Sequence, residues 1–263
     1  MNPELFYILF LILFGIFIFT LIVMGIFLLY KGGKNRMVNI ILGGISFVSL
    51  PIGLIGYFIF QLDPLYLEFI IVSSFVLTVV FTNKTFYKNR GFKSKLVLFT
   101  VLVLGSIQIG FFFIAKYGIW TTFLYYLRVS LDFPYTFLVF NWLSYSAYSA
   151  YKLVKFKLID PWIKVRYKML TIFSFIFSFH SLPEFFHPLG TLWGDPNNFL
   201  SLASFGTTAI LVVIFSLGFS IAWIMPKGLK KRINRNYQPI EDKDFPLSLN
   251  VKNNQAFLQG FLT

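Results

Sequence analysis

Apolar residues in this chain come in long unbroken runs, not at the three-to-four spacing of a soluble amphipathic helix or the alternation of a half-buried strand. Seven runs stand out, over residues 5–30, 37–60, 65–86, 96–115, 135–154, 169–182 and 200–225. Most exceed the ~20 residues that carry an α-helix across ~30 Å of hydrocarbon. Lipid offers no partner to backbone N–H and C=O groups, so such runs are expected as helices, which satisfy those groups internally. The alternating segments of about ten residues that build a membrane β-barrel do not occur. The expected fold is therefore all-α: a polytopic membrane protein whose seven-transmembrane-helix bundle occupies residues 1–226. A short, basic, mobile cytoplasmic tail is expected at 227–263.

The first run has Glu4 and no basic residue ahead of it, is too long and lacks a small-residue cleavage site, so it reads as a retained span and not a signal peptide. The sixth is the weakest, because His180, Pro183, Glu184 and His187 interrupt its far end. Residues 117–131, rich in Tyr and Phe, read as an interfacial helix lying at headgroup level.

The charges between the runs set the orientation. Of 23 Lys and Arg, all but Lys116 and Arg128 fall in alternate connections and the tail. Glu4, Asp63, Glu68, Asp132, Glu184 and Asp195 fall on the opposite side. Basic residues mark the cytoplasmic side. The N-terminus is thus expected outside, the C-terminus in the cytoplasm, and the protein in the cell membrane as a multi-pass chain. An odd number of spans is needed to bring the tail to the side of the basic connections.

Composition agrees. The chain is 57% hydrophobic and 13% charged, with 36 Phe and mean hydropathy +0.75. A soluble domain carries roughly 25% charged residues. The net charge of +13 would suggest nucleic acid on a soluble protein, but here the charges lie between apolar runs, so no nucleic-acid partner is expected. The expected partner is the bilayer, with Lys227, Lys230, Lys231, Arg232 and Arg235 placed to meet anionic cytoplasmic lipid. A protein partner in the membrane or cytoplasm is a further expectation. The absence of Cys excludes disulfides, thiolate metal sites and Cys nucleophiles.

Polar residues within the runs mark inward faces. Ser74, Thr78 and Thr82 repeat every four residues in the third run. Asn141, Tyr145, Tyr148 and Lys152 share a face of the fifth, with Ser144 and Tyr151 beside it. Thr171, Ser174, Ser178 and Ser181 form a stripe in the sixth, and Ser201, Ser204 and Thr208 one in the seventh. Gln108 is the one amide in the middle of the fourth. These stripes are open to two readings, interhelical hydrogen bonding or a polar pocket lined by the last three spans. The candidate ligand-binding set is His180, Glu184, His187, Asn141, Tyr145, Tyr148, Ser178 and Ser181, with Pro51 and Pro183 as candidate hinges. His180, Glu184 and His187 are spaced by four and three, one face of an unbroken helix. Metal binding, proton sensing and a plain polar helix end all fit that trio, and no metal is expected as the resident group.

Seven spans with an external N-terminus invite comparison with known families. Microbial rhodopsins attach retinal to a Lys in the last span, and residues 200–225 contain no Lys, which excludes retinal. No cofactor is expected. The Asp-Arg-Tyr and Asn-Pro-x-x-Tyr motifs of animal receptors, and the His-x-x-x-His pair of ceramidase-type membrane hydrolases, are absent. Residues 46–51 (SFVSLP) match residues 178–183 (SFHSLP) at an offset of 132. That offset gives a three-plus-one-plus-three layout, similar to that of sugar-facilitator and PQ-loop proteins, although no Pro-Gln pair occurs. The layout also resembles the seven-span sensor module in front of some microbial histidine kinases, without a diagnostic motif.

The functional expectation is a receptor- or sensor-like protein that binds a small extracytoplasmic or lipid-borne ligand. A small-solute facilitator and a structural or assembly subunit are the rival classes. An intramembrane enzyme is disfavoured, because few ionisable groups converge.

Overall fold

A computed structural model describes residues 3–87, 91–118, 121–157, 159–191, 193–195 and 197–235. Among these residues the chain is helical throughout, with no strand. Seven long helices follow one another: α1 (Pro3–Lys34), α2 (Val38–Phe58), α3 (Pro64–Thr82), α4 (Phe92–Tyr117), α5 (Thr122–Lys155), α6 (Pro161–Phe177) and α7 (Phe199–Ile224). A one-turn π segment (Asn83–Tyr87) extends α3, a 3-10 turn (Leu182–Phe186) follows α6, and a short α8 (Lys227–Ile233) closes the described chain.

Six of the segments are long and apolar enough to cross a bilayer, and together they make this a multi-pass membrane protein. The candidate spans are Leu11–Lys34, Val38–Phe58, Pro64–Tyr87, Phe92–Tyr117, Pro161–Phe186 and Phe199–Ile224. Their outward surfaces are apolar, with Phe19, Phe69, Phe99, Phe113 and Ile210 all exposed. Lipid is the solvent that suits such a surface. The seventh long helix, α5, has the length but carries too many polar and charged residues to qualify by composition.

Helix starts follow local rules. Asp63 caps α3, its Oδ1 accepting the Leu65 N–H at 2.8 Å, with Pro64 in the first turn. Thr121 caps α5 through the Leu124 N–H, and Asn198 caps α7 through the Ser201 N–H. Side-chain pairings then fix helix directions. Thr136 meets Ser181 and Ser144 meets Thr171, so α5 and α6 run antiparallel. Phe75 meets Tyr135 and Asn83 meets Trp142, so α3 and α5 run parallel. Phe14 meets Phe205 and Thr20 meets Ser216, so α1 and α7 run parallel and close the bundle.

Two expectations are corrected. Residues 117–131 do not form a separate surface helix: from Thr122 they are the first turns of α5, with Tyr125, Arg128 and Val129 buried. The hydrophobic contacts of those turns outweighed the interfacial pattern of the aromatics. Pro183 does not kink a continuing sixth helix. The α-helix has ended at Phe177, and Pro183 sits in the first turn of the 3-10 segment, where its missing N–H is harmless. Pro51, in contrast, lies buried inside α2, which continues through it to Phe58. The matching hexapeptides at 46–51 and 178–183 are therefore helix interior in one copy and helix exit in the other. Lys88, Arg90, Lys243, Lys252 and the tail from residue 236 lie outside the described residues.

Candidate ligand-binding cavity

The helices do not pack solidly. A cavity of about 400 Å³ lies between them, and each of α1 to α7 contributes to its wall. That is the size of a small-molecule site. Its body is aromatic and aliphatic, with Phe17 from α1, Phe47 and Leu50 from α2, Phe75 from α3, and Phe205 and Phe215 from α7. Its lining runs out to Pro64, at the start of α3, and to Thr191 and Trp193, in the connection before α7, at one end of the bundle. The opposite half is filled by fully buried Phe81, Tyr167, Phe219 and Trp223.

Charged groups gather where the cavity approaches the connections. Glu68 projects from the second turn of α3. Arg128 and Asp132, one turn apart, project from α5. Glu184 projects from the 3-10 turn and forms an ion pair with Arg128. The side chains of that pair are only 10% and 18% exposed. Phe112 and Tyr125 lie against the guanidinium at 5.2 and 5.7 Å, which completes its enclosure. Asp132 interacts electrostatically with the same guanidinium. Neither Glu68, 7% exposed, nor Asp132 has a hydrogen bond to its carboxyl from any described residue.

The histidines are fixed by carbonyls. His180 Nδ1 lies 2.9 Å from the Phe177 carbonyl, which can only accept, so Nδ1 carries the proton and Nε2 is an acceptor. Its ring stacks on Phe177 with centroids 4.3 Å apart and lines the cavity. His187 Nε2 lies 3.2 Å from the Thr191 carbonyl, which makes its buried, unpaired Nδ1 the acceptor. The His187 carbonyl accepts the Tyr125 O–H. Burial pushes the His187 imidazole below its ordinary pKa, against a smaller opposing pull from Glu184. At the rim, Lys116 pairs with Asp63 and its hydrogen bond holds that carboxyl below the usual range.

Two further buried polar atoms next to this layer lack partners. Gln108 donates Nε2–H to the Arg128 carbonyl at 3.3 Å and leaves Oε1 unpaired. The Tyr135 hydroxyl is also unpaired. Native interiors rarely leave so many polar groups unsatisfied unless water or a ligand meets them.

Of the residues proposed from sequence, His180, Ser181, Glu184 and His187 line the cavity. Ser181 meets Thr136 at 2.6 Å. Ser178 is buried but hydrogen-bonds back to the Phe175 carbonyl, away from the wall. Asn141 is half-buried and does not line it. Tyr145 and Tyr148 are 49% and 41% exposed on the outer surface of α5, Tyr145 stacking on Trp142 and Tyr148 lying under Lys152. The inward face of α5 is the one carrying Arg128, Asp132, Thr136 and Phe140. Ser46, Ser49, Ser74 and Thr78 join α2 to α3 through hydrogen bonds of 2.7 Å. The basic cluster lies at the other end of the bundle, on α8 and just after it. There Lys227, Lys231, Arg232 and Arg235 are exposed and Lys230 sits 4.0 Å over the Trp162 ring.

From the sequence, Glu68 falls at the start of the third run, Arg128 in the expected surface helix and Asp132 just beyond it, and all three read only as isolated charges of the outer side. The signal that would have placed them is in the caps. Asp63-Pro64 starts α3 before Glu68, and Thr121 starts α5 before Arg128, so all three belong to helices. Charged residues within spans are expensive and mark functional sites.

The fold and cavity define a multi-pass helical membrane protein with an internal, partly charged chamber. No protein-family model, curated protein or solved structure matches the chain.

Proposed function

We propose that this chain is a receptor-like, seven-span protein of the cell membrane that binds a small amphipathic ligand reaching it from the extracytoplasmic side or from lipid. The observation that carries the reading is the cavity itself, walled by all seven long helices and charged at one end. A chamber with an apolar body and a few convergent polar groups is how proteins take up small molecules.

In this reading α5 is the seventh span. Its 34 residues measure about 50 Å along the axis, more than the hydrocarbon thickness. It runs antiparallel to α6 from the Tyr125–His187 contact to the Ser144–Thr171 contact. Its charges face the cavity and not the lipid, so the polar composition is no obstacle to spanning. The basic residues at the α8 end then lie in the cytoplasm, and the charged end of the cavity faces outside. Lys227, Lys230, Lys231, Arg232 and Arg235 would meet anionic lipid there at about 1 kcal/mol each.

The closed lower half of the bundle, around Phe81, Tyr167 and Trp223, supports binding over passage. A facilitator needs a polar path past those rings. A structural subunit needs no chamber at all.

Native mass spectrometry of protein extracted gently from its own membrane tests the proposal. A co-purifying small molecule is expected on the wild type and not on Thr208→Trp, which fills the cavity wall at α7. A wild type that carries no such molecule at any detergent mildness, or one equally retained by the filled variant, would contradict it.

A further inference from the structure

Resting on the reading of the cavity as a ligand site, we infer that its charged end is built to receive a protonated amine: an organic ammonium carrying N–H donors on an apolar body. Most of the polar groups left without partners at this end are acceptors. The Glu68 and Asp132 carboxyls accept nothing from the described residues. His180 Nε2 and His187 Nδ1 are acceptors, because the other ring nitrogen of each already donates to a carbonyl. Gln108 Oε1, just behind Arg128, is an acceptor too. Tyr135 alone can play either part. The Trp193 indole N–H, also buried and unpartnered in the cavity wall, is a donor; the carboxyls, the imidazoles and the amide oxygen call for a hydrogen-bond donor from outside the chain.

The charge count points the same way. Three carboxyls and two imidazoles line this end, and the one guanidinium among the lining residues, Arg128, is already committed to Glu184. An anionic ligand would meet Glu68 and Asp132 with no free cation to receive it. A neutral alcohol offers one donor where several acceptors wait.

A bare metal ion fits poorly. No group of three or more His, Asp or Glu among the described residues is placed to hold one. The acceptors stand on four different segments around a chamber and not around a point. A cation with several N–H vectors and an apolar body suits that spread. The rings of Phe75 and Phe140, roughly perpendicular to the His180 ring, line the same cavity and add aromatic surface that suits a cation.

A matched set of probes separates this inference from the reading beneath it. Phenylbutylamine, phenylbutanol and phenylbutyrate share one apolar body and differ at the polar end. Each is titrated by equilibrium dialysis against the full chain in lipid nanodiscs at neutral pH, with empty nanodiscs subtracted. The amine is expected to bind about tenfold or more tightly than the other two. Glu68→Gln and Asp132→Asn, near-isosteric and checked for folding by thermal unfolding, are expected to cut that preference to about threefold or less. Alcohol or carboxylate binding as tightly as the amine would overturn the inference and leave the cavity as a ligand site. An amine preference that survives both substitutions would also overturn it. Failure of all three probes on folded protein would count against the cavity reading itself, and the inference would fall with it.

Discussion

Arg128 and Glu184 form a largely enclosed ion pair at the charged end of the cavity. A buried pair holds its place because each charge answers the other, and removing one strands its partner. Arg128→Gln is therefore expected to destabilise the protein by about 3–5 kcal/mol, read as a lowered midpoint of thermal unfolding. The double replacement Arg128→Met with Glu184→Leu should recover part of that loss, since it removes both members of the pair while Asp132 still loses its interaction with the guanidinium. A second residue-scale prediction concerns pH. Burial holds the His187 imidazole below its ordinary pKa of about 6.5, with Glu184 and Arg128 as its charged neighbours. The folded state thus resists the proton that the unfolded chain accepts. The His187 contribution to stability should be constant above about pH 6.5, fall as pH drops from there towards the depressed folded value, and then level off. Asp63, also held low, adds its own loss only at more acid pH. His187→Gln should flatten the upper part of that profile in thermal unfolding measured across pH.

Elements show where the sequence could be read and where it could not. The apolar runs and their basic punctuation announce α1 to α4, α6 and α7, because lipid exposure and the charge rule act on each run alone. The long α5 was legible only as its apolar C-terminal part. Its first turns bury Arg128 beside charges brought from α3 and from the turn after α6, and no local pattern reports a partner so distant in sequence. For the same reason Tyr145 and Tyr148 looked inward on polarity, whereas the exposed rings suit the surface and Ser144 and Ser146 take the contacts between helices. The α1–α2 interface depends on close backbone approach. A Cβ on Gly25 would meet Val48 Cγ2 at 2.5 Å, and one on Gly44 would meet the Gly25 carbonyl at 2.9 Å. Gly44→Ala should cost roughly 1–3 kcal/mol by forcing the helices apart. Gly15→Ala, where nothing lies within 4 Å, should instead be neutral or gain up to about 1 kcal/mol from helix propensity. Paired unfolding curves of the two variants check both signs.

On the proposed reading of the whole molecule, a helix too polar to be recognised as a span crosses the bilayer because its charges face a chamber inside the bundle. The chamber, its acceptor-rich end and the closed half opposite are all read as membrane-embedded on the strength of that crossing. The chain has no Cys, so single cysteines can be placed without background. The most direct measurement is labelling of Thr121→Cys and Lys155→Cys, at the two ends of α5, in intact cells with a membrane-impermeant maleimide. Position 121 is expected to label from outside, and position 155 only after the membrane is opened. Labelling of both positions from the same side would contradict the account.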